Sequence, residues 1–312
     1  MPFAIPSMAV LSQFGANAVT SSTPSAATKK YEWISATFST DRELVNTSGI
    51  RGKLDDVIER LRNGKQTLDG NVKFQPTPTE LRFWLPLILG GAESAQSGYA
   101  SYALANSKPY FQVILDYVAK VYTWTGCKVD KAVFSSTKSQ PLQMDLDICG
   151  LTETLGNAGT FASLTIAAEP PFVHFDSTVT LAGSAVQVES ITLTIDNMLK
   201  KDRFVNSQTR TDLPETGRKI MLKLEIPYTS DTAALYDPGV GGVTCDLKWS
   251  LGGAGEGATG TDLRFVCGKF VAVPKKSPAI GAKADEILLV LDGQLLSVAE
   301  ADPLSANLDY TP

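Results

Sequence analysis

The chain has 312 residues, of which 43% are hydrophobic and 20% are charged, and its formal net charge is −5. This length and composition are typical of one large globular domain or two smaller ones. The acidic balance argues against a protein that binds nucleic acid by neutralising its phosphates, and the absence of any run of eighteen apolar residues predicts no membrane span and no membrane anchoring.

The N-terminal segment, residues 1–30, is rich in small and polar residues. It has no Lys or Arg before Lys29 and is interrupted by Pro2 and Pro6, which is unlike a secretory signal. Such a segment cannot offset the entropy of ordering alone, so we expect an extended arm that is either disordered or ordered only against a partner. The expected setting is a reducing cytosol.

The strongest helix signal is "TPTELRFWLPLILGG" at 77–91. Thr77 and Glu80 have the spacing of a capping box, and the glycine pair at the end is a stop signal. Pro86 lies inside this segment and should kink or shorten the helix. A shorter segment at 53–65 also has apolar residues at helical spacing and predicts a short helix.

From Tyr110 onward the sequence is typical of β-strands. The run "YFQVILDYVAKVYTW" (110–124) predicts one strand that is covered on both faces. Two later segments repeat one apolar pattern at a constant offset, with one slip of phase: Cys127, Val129, Ala132 and Phe134 in the first, and Val186, Val188, Ile191 and Leu193 in the second. A slip of one residue in a period-two pattern is what a β-bulge produces.

The strands that follow these segments also match each other. Their buried positions are Leu142, Met144, Leu146 and Ile148 in the first copy, and Ile220, Leu222, Leu224 and Ile226 in the second. We therefore predict two equivalent hairpins with the same bulge. A short turn closes the first, whereas a long polar segment at 198–216 connects the strands of the second.

A third hairpin is predicted from "GVTCDLKWSL" and "TDLRFVCGKF". The glycine-rich connection at 252–260 lacks the Lys-Ser/Thr of a phosphate-binding loop and joins two strands, so we interpret it as a hairpin tip. A last strand is predicted at 285–293. The polar and acidic segment at 299–312 is expected to be a flexible C-terminal tail.

The four cysteines have no C-x-x-C spacing and do not indicate a metal site. Cys245 and Cys267 are expected to face each other across the third hairpin, because Leu247 and Phe265 share their phase, as do Trp249 and Leu263. Cys127 and Cys149 fall on opposite phases once the bulge is counted. We expect all four to be buried, reduced thiols.

Few residues suggest catalysis. Asp145 and Asp147 lie on one strand face without the glycine or flanking ligands of a calcium site, so an exposed acidic face explains them better. His174 is the only histidine and has no nucleophile motif near it, which favours a packed or surface histidine. The sequence therefore predicts no enzyme activity, no catalytic residues, no cofactor and no metal.

The segment "GCKVDKAVFSSTKSQPLQMDLDICG", with "PFVHFDSTVTLAGSAVQVESITLTIDNML" after it, resembles the tail tube (major tail) proteins of tailed bacteriophages. The upstream "GNVKFQPTPTELRFWLPLILGG" is similar to the strand-then-helix lead-in of that family. The resemblance covers roughly residues 45–230. It implies an all-β antiparallel sandwich or barrel at 31–298, with inserted loops and one flanking α-helix.

The resemblance also implies a function. Six copies would form a ring, with hairpins from each subunit shared in an oligomeric β-barrel, and stacked rings would form the tube through which double-stranded DNA leaves during genome ejection. The implied partners are other copies of the chain and the tail terminator, tape-measure and baseplate or tail-tip proteins. The implied location is the virion tail, after assembly in the host cytoplasm.

In such a barrel the apolar stripes of the hairpins pack into the subunit and the opposite face lines the lumen. The predicted lumen-facing residues are Gln143, Asp145, Asp147, Met221, Lys223, Glu225, Lys128 and Asp196, joined by Gln187, Thr192 and Thr194. This surface is expected to be polar and slightly acidic, giving passing DNA no place to bind. The alternative is a monomeric β-sandwich that binds carbohydrate or a receptor, which would expose Trp or Tyr in a groove.

Overall fold

A computed structural model describes residues 13–18, 27–46, 58–156, 164–230, 232–236, 242–251, 261–272, 287–298 and 302–309. One α-helix, α1 (Pro78–Leu89), accompanies the strands of this described part. The strands are β1 (Gln13–Asn17), β2 (Lys29–Tyr31), β3 (Ser35–Asn46), β4 (Leu61–Phe74), β5 (Ser94–Ala95), β6 (Ala100–Tyr102), β7 (Phe111–Asp116), β8 (Val121–Thr137), β9 (Gln143–Gly150), β10 (Thr152–Gly156), β11 (Ser177–Leu181), β12 (Ser184–Val186), β13 (Ser190–Asp196), β14 (Lys219–Pro227), β15 (Val243–Leu251), β16 (Thr261–Ala272), β17 (Leu288–Leu296) and β18 (Leu304–Asp309).

The strands form two antiparallel sheets that share β8. The small sheet has the order β2-β1-β7-β8-β10 and uses the first part of β8. The large sheet runs β3-β4-β9-β8-β13-β14-β17-β16, and β16 extends it to β15-β11-β12 on one side and to β18-β6-β5 on the other. The all-β antiparallel fold with a flanking helix is thus confirmed.

Strand β8 passes from the small sheet to the large one at Gly126. This residue has a φ of +63°, and a Cβ atom there would lie 2.6 Å from Cδ1 of Leu151. Glycine is favoured at this corner because it adopts positive φ without steric cost. The predicted bulge also lies in β8, between Val129 and Lys131.

The β8 and β16 parts of the large sheet face each other across the core. Phe134 of β8 contacts Phe265 of β16 with ring centroids 5.1 Å apart, so the core lies between these layers. A second part of the core surrounds Trp84 of α1, which is fully buried. The rings within 6.4 Å of its indole are those of Phe14, Tyr31, Phe74, Phe83 and Phe111.

The predicted helix is confirmed, together with its caps. Thr77 and Glu80 form both hydrogen bonds of a capping box, and Gly90 ends the helix with a φ of 91°. The helix continues through Pro86 rather than stopping there. Because Glu80 is only 4% exposed, the carboxyl group that caps the helix is also removed from water.

Burial, together with the nearby charges of Glu169 and Glu32, raises the pKa of Glu80 to about 7, from a usual value of 4.5. Between pH 4.5 and about 7 the folded protein keeps the Glu80 proton that the unfolded chain releases. Protonation of Glu80 therefore stabilises the folded state fully below pH 4.5, and this contribution is lost as the pH rises to about 7. Glu80→Gln keeps an oxygen that accepts the Thr77 N–H without the buried charge. We expect it to raise the free energy of unfolding by about 1–3 kcal/mol at pH 8 and to have little effect at pH 4.5.

Denaturant titrations at the two pH values measure this difference, with the exposed Glu43→Gln on β3 as the control. An equal effect of Glu80→Gln at both pH values would show that the charge of this carboxyl group does not oppose folding.

Both predicted hairpins form, but they are less equivalent than their sequences suggest. β8 pairs with β9 and β13 pairs with β14, and β8 and β13 also pair with each other, so the order β9-β8-β13-β14 is continuous. In the second copy the slip of phase is a strand break rather than a bulge. β12 ends at Val186 and pairs with β11, whereas β13 begins at Ser190.

Several segments differ from the sequence-based expectations. The predicted strand at 110–124 is two strands, β7 and β8, separated by a turn. The described part of the predicted 53–65 helix is a short 3-10 turn (Ile58–Arg60) followed by the start of β4, because pairing with β3 outweighs the weak helical pattern. The predicted 252–260 tip lies outside the described residues.

Both ends of the chain contribute strands. In the predicted arm, β1 pairs with β2 and β7, and its Phe14 is fully buried. In the predicted flexible tail, β18 pairs with β16 and β6. Its Leu304, Ala306 and Leu308 alternate at strand spacing and are buried. Residues 304–309 therefore form a paired strand, and the prediction of a flexible tail is wrong for them.

Candidate functional site

The sheet order β9-β8-β13-β14 presents one apolar and one polar face. The eight predicted stripe residues are no more than 2% exposed and lie in the core. Seven of them belong to β9 and β14, and the eighth, Leu142, immediately precedes β9. We call the opposite side the polar face. Its outward positions are Gln143, Asp145 and Asp147 on β9, Lys131, Val133 and Ser135 on β8, Thr192, Thr194 and Asp196 on β13, and Lys219, Met221, Lys223 and Glu225 on β14.

Charges alternate along one row of the polar face. Lys131 lies between Asp147 on one side and Asp196 on the other, and Asp196 is in turn opposite Lys219. Opposite charges on directly paired residues stabilise an antiparallel sheet, by about 0.2–1 kcal/mol per pair. The row therefore has strong local charges but no excess of either sign.

The next rows are balanced in a similar way. Lys223 Nζ lies 2.7 Å from Glu225 Oε1, and this hydrogen bond lowers the pKa of Glu225. Asp145 is opposite Lys73 of β4. Each carboxylate of the polar face therefore lies close to a cation or a hydrogen-bond donor.

Asn71 of β4 connects two of the predicted residues. Its Nδ2 donates to Asp145, and to Asp147 Oδ1 at 2.8 Å. One amide group thus holds the two carboxylates in fixed positions. Within the described part of the chain, no group of three or more His, Cys, Asp or Glu residues is arranged to hold a metal ion.

Two predicted residues are not exposed on the polar face. Lys128 is 4% exposed, and its Nζ donates to Leu213 O and Glu215 Oε1, both at 3.0 Å, above the ring of Tyr110. The bulge in β8 and the chain packed over it explain this burial. Gln187 lies in the connection between β12 and β13 and lines a separate cavity.

The segment that covers Lys128 is the 198–216 connection, which we call the covering segment. The sequence predicts only a long polar loop here, whereas Leu199 and Leu213 pack on Cys149 at one end of the polar face. Arg210, 4% exposed, fixes it further. The guanidinium donates to Lys201 O, Leu68 O and Gly150 O, and to both carboxylate oxygens of Asp69.

Partial burial acts to raise the pKa of Asp69, but the hydrogen bonds from Arg210 hold it below its usual value. Asp69 is therefore a charged partner for Arg210 over the whole neutral range. The covering segment is attached to β4 and β9 by this pair, by backbone acceptors and by apolar packing. It covers the Cys149 end of the polar face.

His174 has a structural role. It is 8% exposed, its Nε2 donates to Val188 O at 3.0 Å, and its Nδ1 accepts from Ser136 Oγ at 3.0 Å. Three tryptophans, Trp84, Trp124 and Trp249, are at most 1% exposed. Trp33 is partly buried: it packs against the core and also lines a cavity together with Glu80 and Glu169.

Exposed apolar side chains concentrate at the distal end of the β3–β4 hairpin. Leu44 is 66% exposed and Ile58, just before β4, is 76% exposed; Val45 and Leu61 lie beside them. β3 pairs with β4 along its length, and no described strand lies on its other edge. Such an edge with apolar side chains is a surface on which another chain can dock. We call these four residues the hairpin tip.

No helix among the described residues has the length and apolarity needed to span a bilayer. Comparison with known families gives a match over nearly the whole chain. A family model described as "Phage tail tube protein" matches residues 9–311. A search of curated proteins gives no match.

Proposed function

Because this chain belongs to the phage tail tube protein family, we propose that six copies form a ring, that rings stack into the tail tube, and that the polar face lines its channel. The family assigns a structural role in the virion tail and self-assembly into a tube. The observation that supports the lining is the continuous sheet β9-β8-β13-β14, which buries one face in the subunit and leaves the other polar.

The charges of the polar face suit a channel through which DNA passes. Three lysines lie among four carboxylates: Lys131, Lys219 and Lys223 among Asp145, Asp147, Asp196 and Glu225. These four strands thus carry an excess of one negative charge per subunit, which Lys73 of the neighbouring β4, opposite Asp145, balances. Each lysine faces or contacts a carboxylate, so a passing duplex finds no free cation to bind.

The hairpin tip supports the self-association. β9 and β14 are not sheet edges, because β4 and β17 pair with them, so neighbouring copies join elsewhere. The free edge of β3 and the exposed apolar residues at its end provide such a surface. We expect further contacts with tail terminator and baseplate or tail-tip proteins at the tube ends, a tape-measure protein in the channel, and assembly in the host cytoplasm.

Electron microscopy of negatively stained purified protein tests the assembly. We expect rings or tubes from the unmodified chain and their loss from the double variant Leu44→Lys, Ile58→Lys, whose added charges cannot be buried in an interface. The matched control is Thr178→Lys with Thr244→Lys, which adds two lysines at exposed positions of β11 and β15. Normal tubes from the hairpin-tip variant would exclude this contact, and a monomeric unmodified protein would favour the binding-module alternative.

Lysine substitutions test the lining. Asp145→Lys with Asp147→Lys should leave assembly nearly intact, because neither side chain is in the core. DNA ejection from particles that carry this variant should be several-fold slower, since each cation offers a phosphate contact strengthened by counterion release. The effect should grow at low salt, where screening is weaker. Normal ejection at low salt, compared with the Thr178 and Thr244 control, would show that β9 does not face the channel.

A further inference from the structure

Two of the four cysteines are direct neighbours across the β15–β16 hairpin. Cys245 is opposite Cys267 in antiparallel register, with an irregularity between Thr244 and Cys245. Both face the core and are 3% and 6% exposed. Directly opposite residues in antiparallel strands have Cα atoms about 4.5–5.5 Å apart. A disulfide spans Cα separations of about 4.4–6.8 Å, so this register suits one.

The contacts around the pair keep the two thiols together. Next along the hairpin, Leu247 is opposite Phe265 and Trp249 is opposite Leu263, as their sequence phase predicts, and all four are fully buried. Cys267 Sγ donates to Phe265 O at 3.7 Å, and the neighbouring Cys245 thiol raises the pKa of Cys267. The register therefore brings the two sulfur atoms together without a change in strand pairing.

The other two cysteines provide an internal comparison. Cys127 and Cys149 also lie on two paired strands, β8 and β9, but the residue opposite Cys149 is Lys128. Cys127 packs in the main core, whereas Cys149 packs with the covering segment on the other face of the sheet. Because the side chains leave opposite faces, this pair cannot be bridged without breaking the sheet.

We propose that Cys245 and Cys267 are an oxidation site at which a cross-strand disulfide forms after the protein leaves the reducing cytosol. Two thiols react with dioxygen to give one disulfide and hydrogen peroxide, so the two hydrogens and two electrons of the thiols pass to oxygen. The geometry is independent of the proposed function. The timing rests on it, because a virion assembled in a reducing cytosol and then released meets an oxidising medium.

The bond would lock a central hairpin. β16 pairs with three strands, β15, β17 and β18, and thereby joins both branches of the large sheet. A disulfide between Cys245 and Cys267 closes residues 246–266, which include the connection from β15 to β16, into a covalent loop. In the reduced protein, the neighbouring Cys245 thiol and burial raise the pKa of Cys267. Oxidation should therefore be slow at neutral pH and faster in alkaline buffer.

Oxidised glutathione at pH 8 tests the proposal on the purified full-length chain. We expect mass spectrometry to show the loss of two hydrogen atoms and one linked peptide pair containing Cys245 and Cys267. The melting temperature should rise by about 5 °C and return when dithiothreitol is added. The matched variants are Cys127→Ala with Cys149→Ala, which should still form the link, and Cys245→Ala, which should not.

A bond from either residue to Cys127 or Cys149 would overturn the proposal. A persistent mixed disulfide between glutathione and Cys245 or Cys267 would also overturn it. That product would show that the thiol is accessible and that its partner cysteine does not reach it. No reaction after a day would show that burial prevents oxidation and would overturn it as well. Because these measurements need no tubes, a linked protein that fails to assemble would refute the proposed function and leave the disulfide intact.

Discussion

Replacing Arg210 with Met is expected to lower the free energy of unfolding by about 2–4 kcal/mol. The guanidinium is almost fully buried and satisfies three backbone carbonyls in addition to Asp69. Each buried acceptor left without a donor costs about 1–3 kcal/mol. The Asp69 side chain is 45% exposed, so water partly replaces its lost partner, and the upper end of the range for broken buried ion pairs is not reached.

Arg203→Met is the matched control, on the same covering segment. Arg203 pairs with Asp212 at 3.3 Å, and both side chains are at least 40% exposed. Exposed ion pairs contribute about 0–1 kcal/mol, so this variant should unfold almost as the unmodified protein does. Urea titrations compare the two, and limited proteolysis shows whether the covering segment has detached. Equal stability of the two variants would mean that Arg210 does not hold this segment in place.

Trp84→Ala is expected to have a still larger effect, about 3–5 kcal/mol. The indole is fully buried and has five aromatic neighbours, which come from α1 and from four strands or their ends. Its removal leaves a cavity that rigid rings cannot fill by small movements. The helix, β1 (through Phe14) and β2 (through Tyr31) lose the aromatic contact that joins them to β4 and β7.

Phe175→Ala is the control for Trp84→Ala, because it also removes one aromatic ring. Phe175 is 82% exposed, and substitutions at such positions usually change stability by less than about 0.5 kcal/mol. Urea titrations again measure the effect, as a shift of the unfolding midpoint with an unchanged dependence of the unfolding free energy on urea concentration. A loss for Trp84→Ala that is no greater than for Phe175→Ala would show that the aromatic cluster is not a main source of stability.

Local patterns in the sequence predict the parts of the fold that depend on neighbours in the chain. The capping box at Thr77 and Glu80 predicts where α1 begins, and alternation predicts the buried stripes of β9 and β14. The shared phase of Leu247 and Phe265 predicts the register that brings Cys245 and Cys267 together. The burial of these residues agrees with the predictions, and the orientation of the polar face toward a channel remains a proposal.

The parts that the sequence does not predict depend on distant contacts. Arg210 reaches Leu68 O, 142 positions away, and no local signal in a polar segment indicates that partner. The β3–β4 hairpin is missed because its exposed strands are mostly polar on both faces. Gly70 is consistent with this pairing. A Cβ atom at Gly70 would lie 2.1 Å from Cδ1 of Phe38, its cross-strand partner.

The passage of β8 through both sheets at Gly126 has a mechanical consequence. In a sandwich whose layers are joined only by side-chain packing, a shearing load makes the layers slide over each other. Here a force on the large-sheet half of β8 passes into the small sheet through the covalent backbone. The two layers must then stretch together, so the wall of a tube built from this subunit would resist hoop stress as one body.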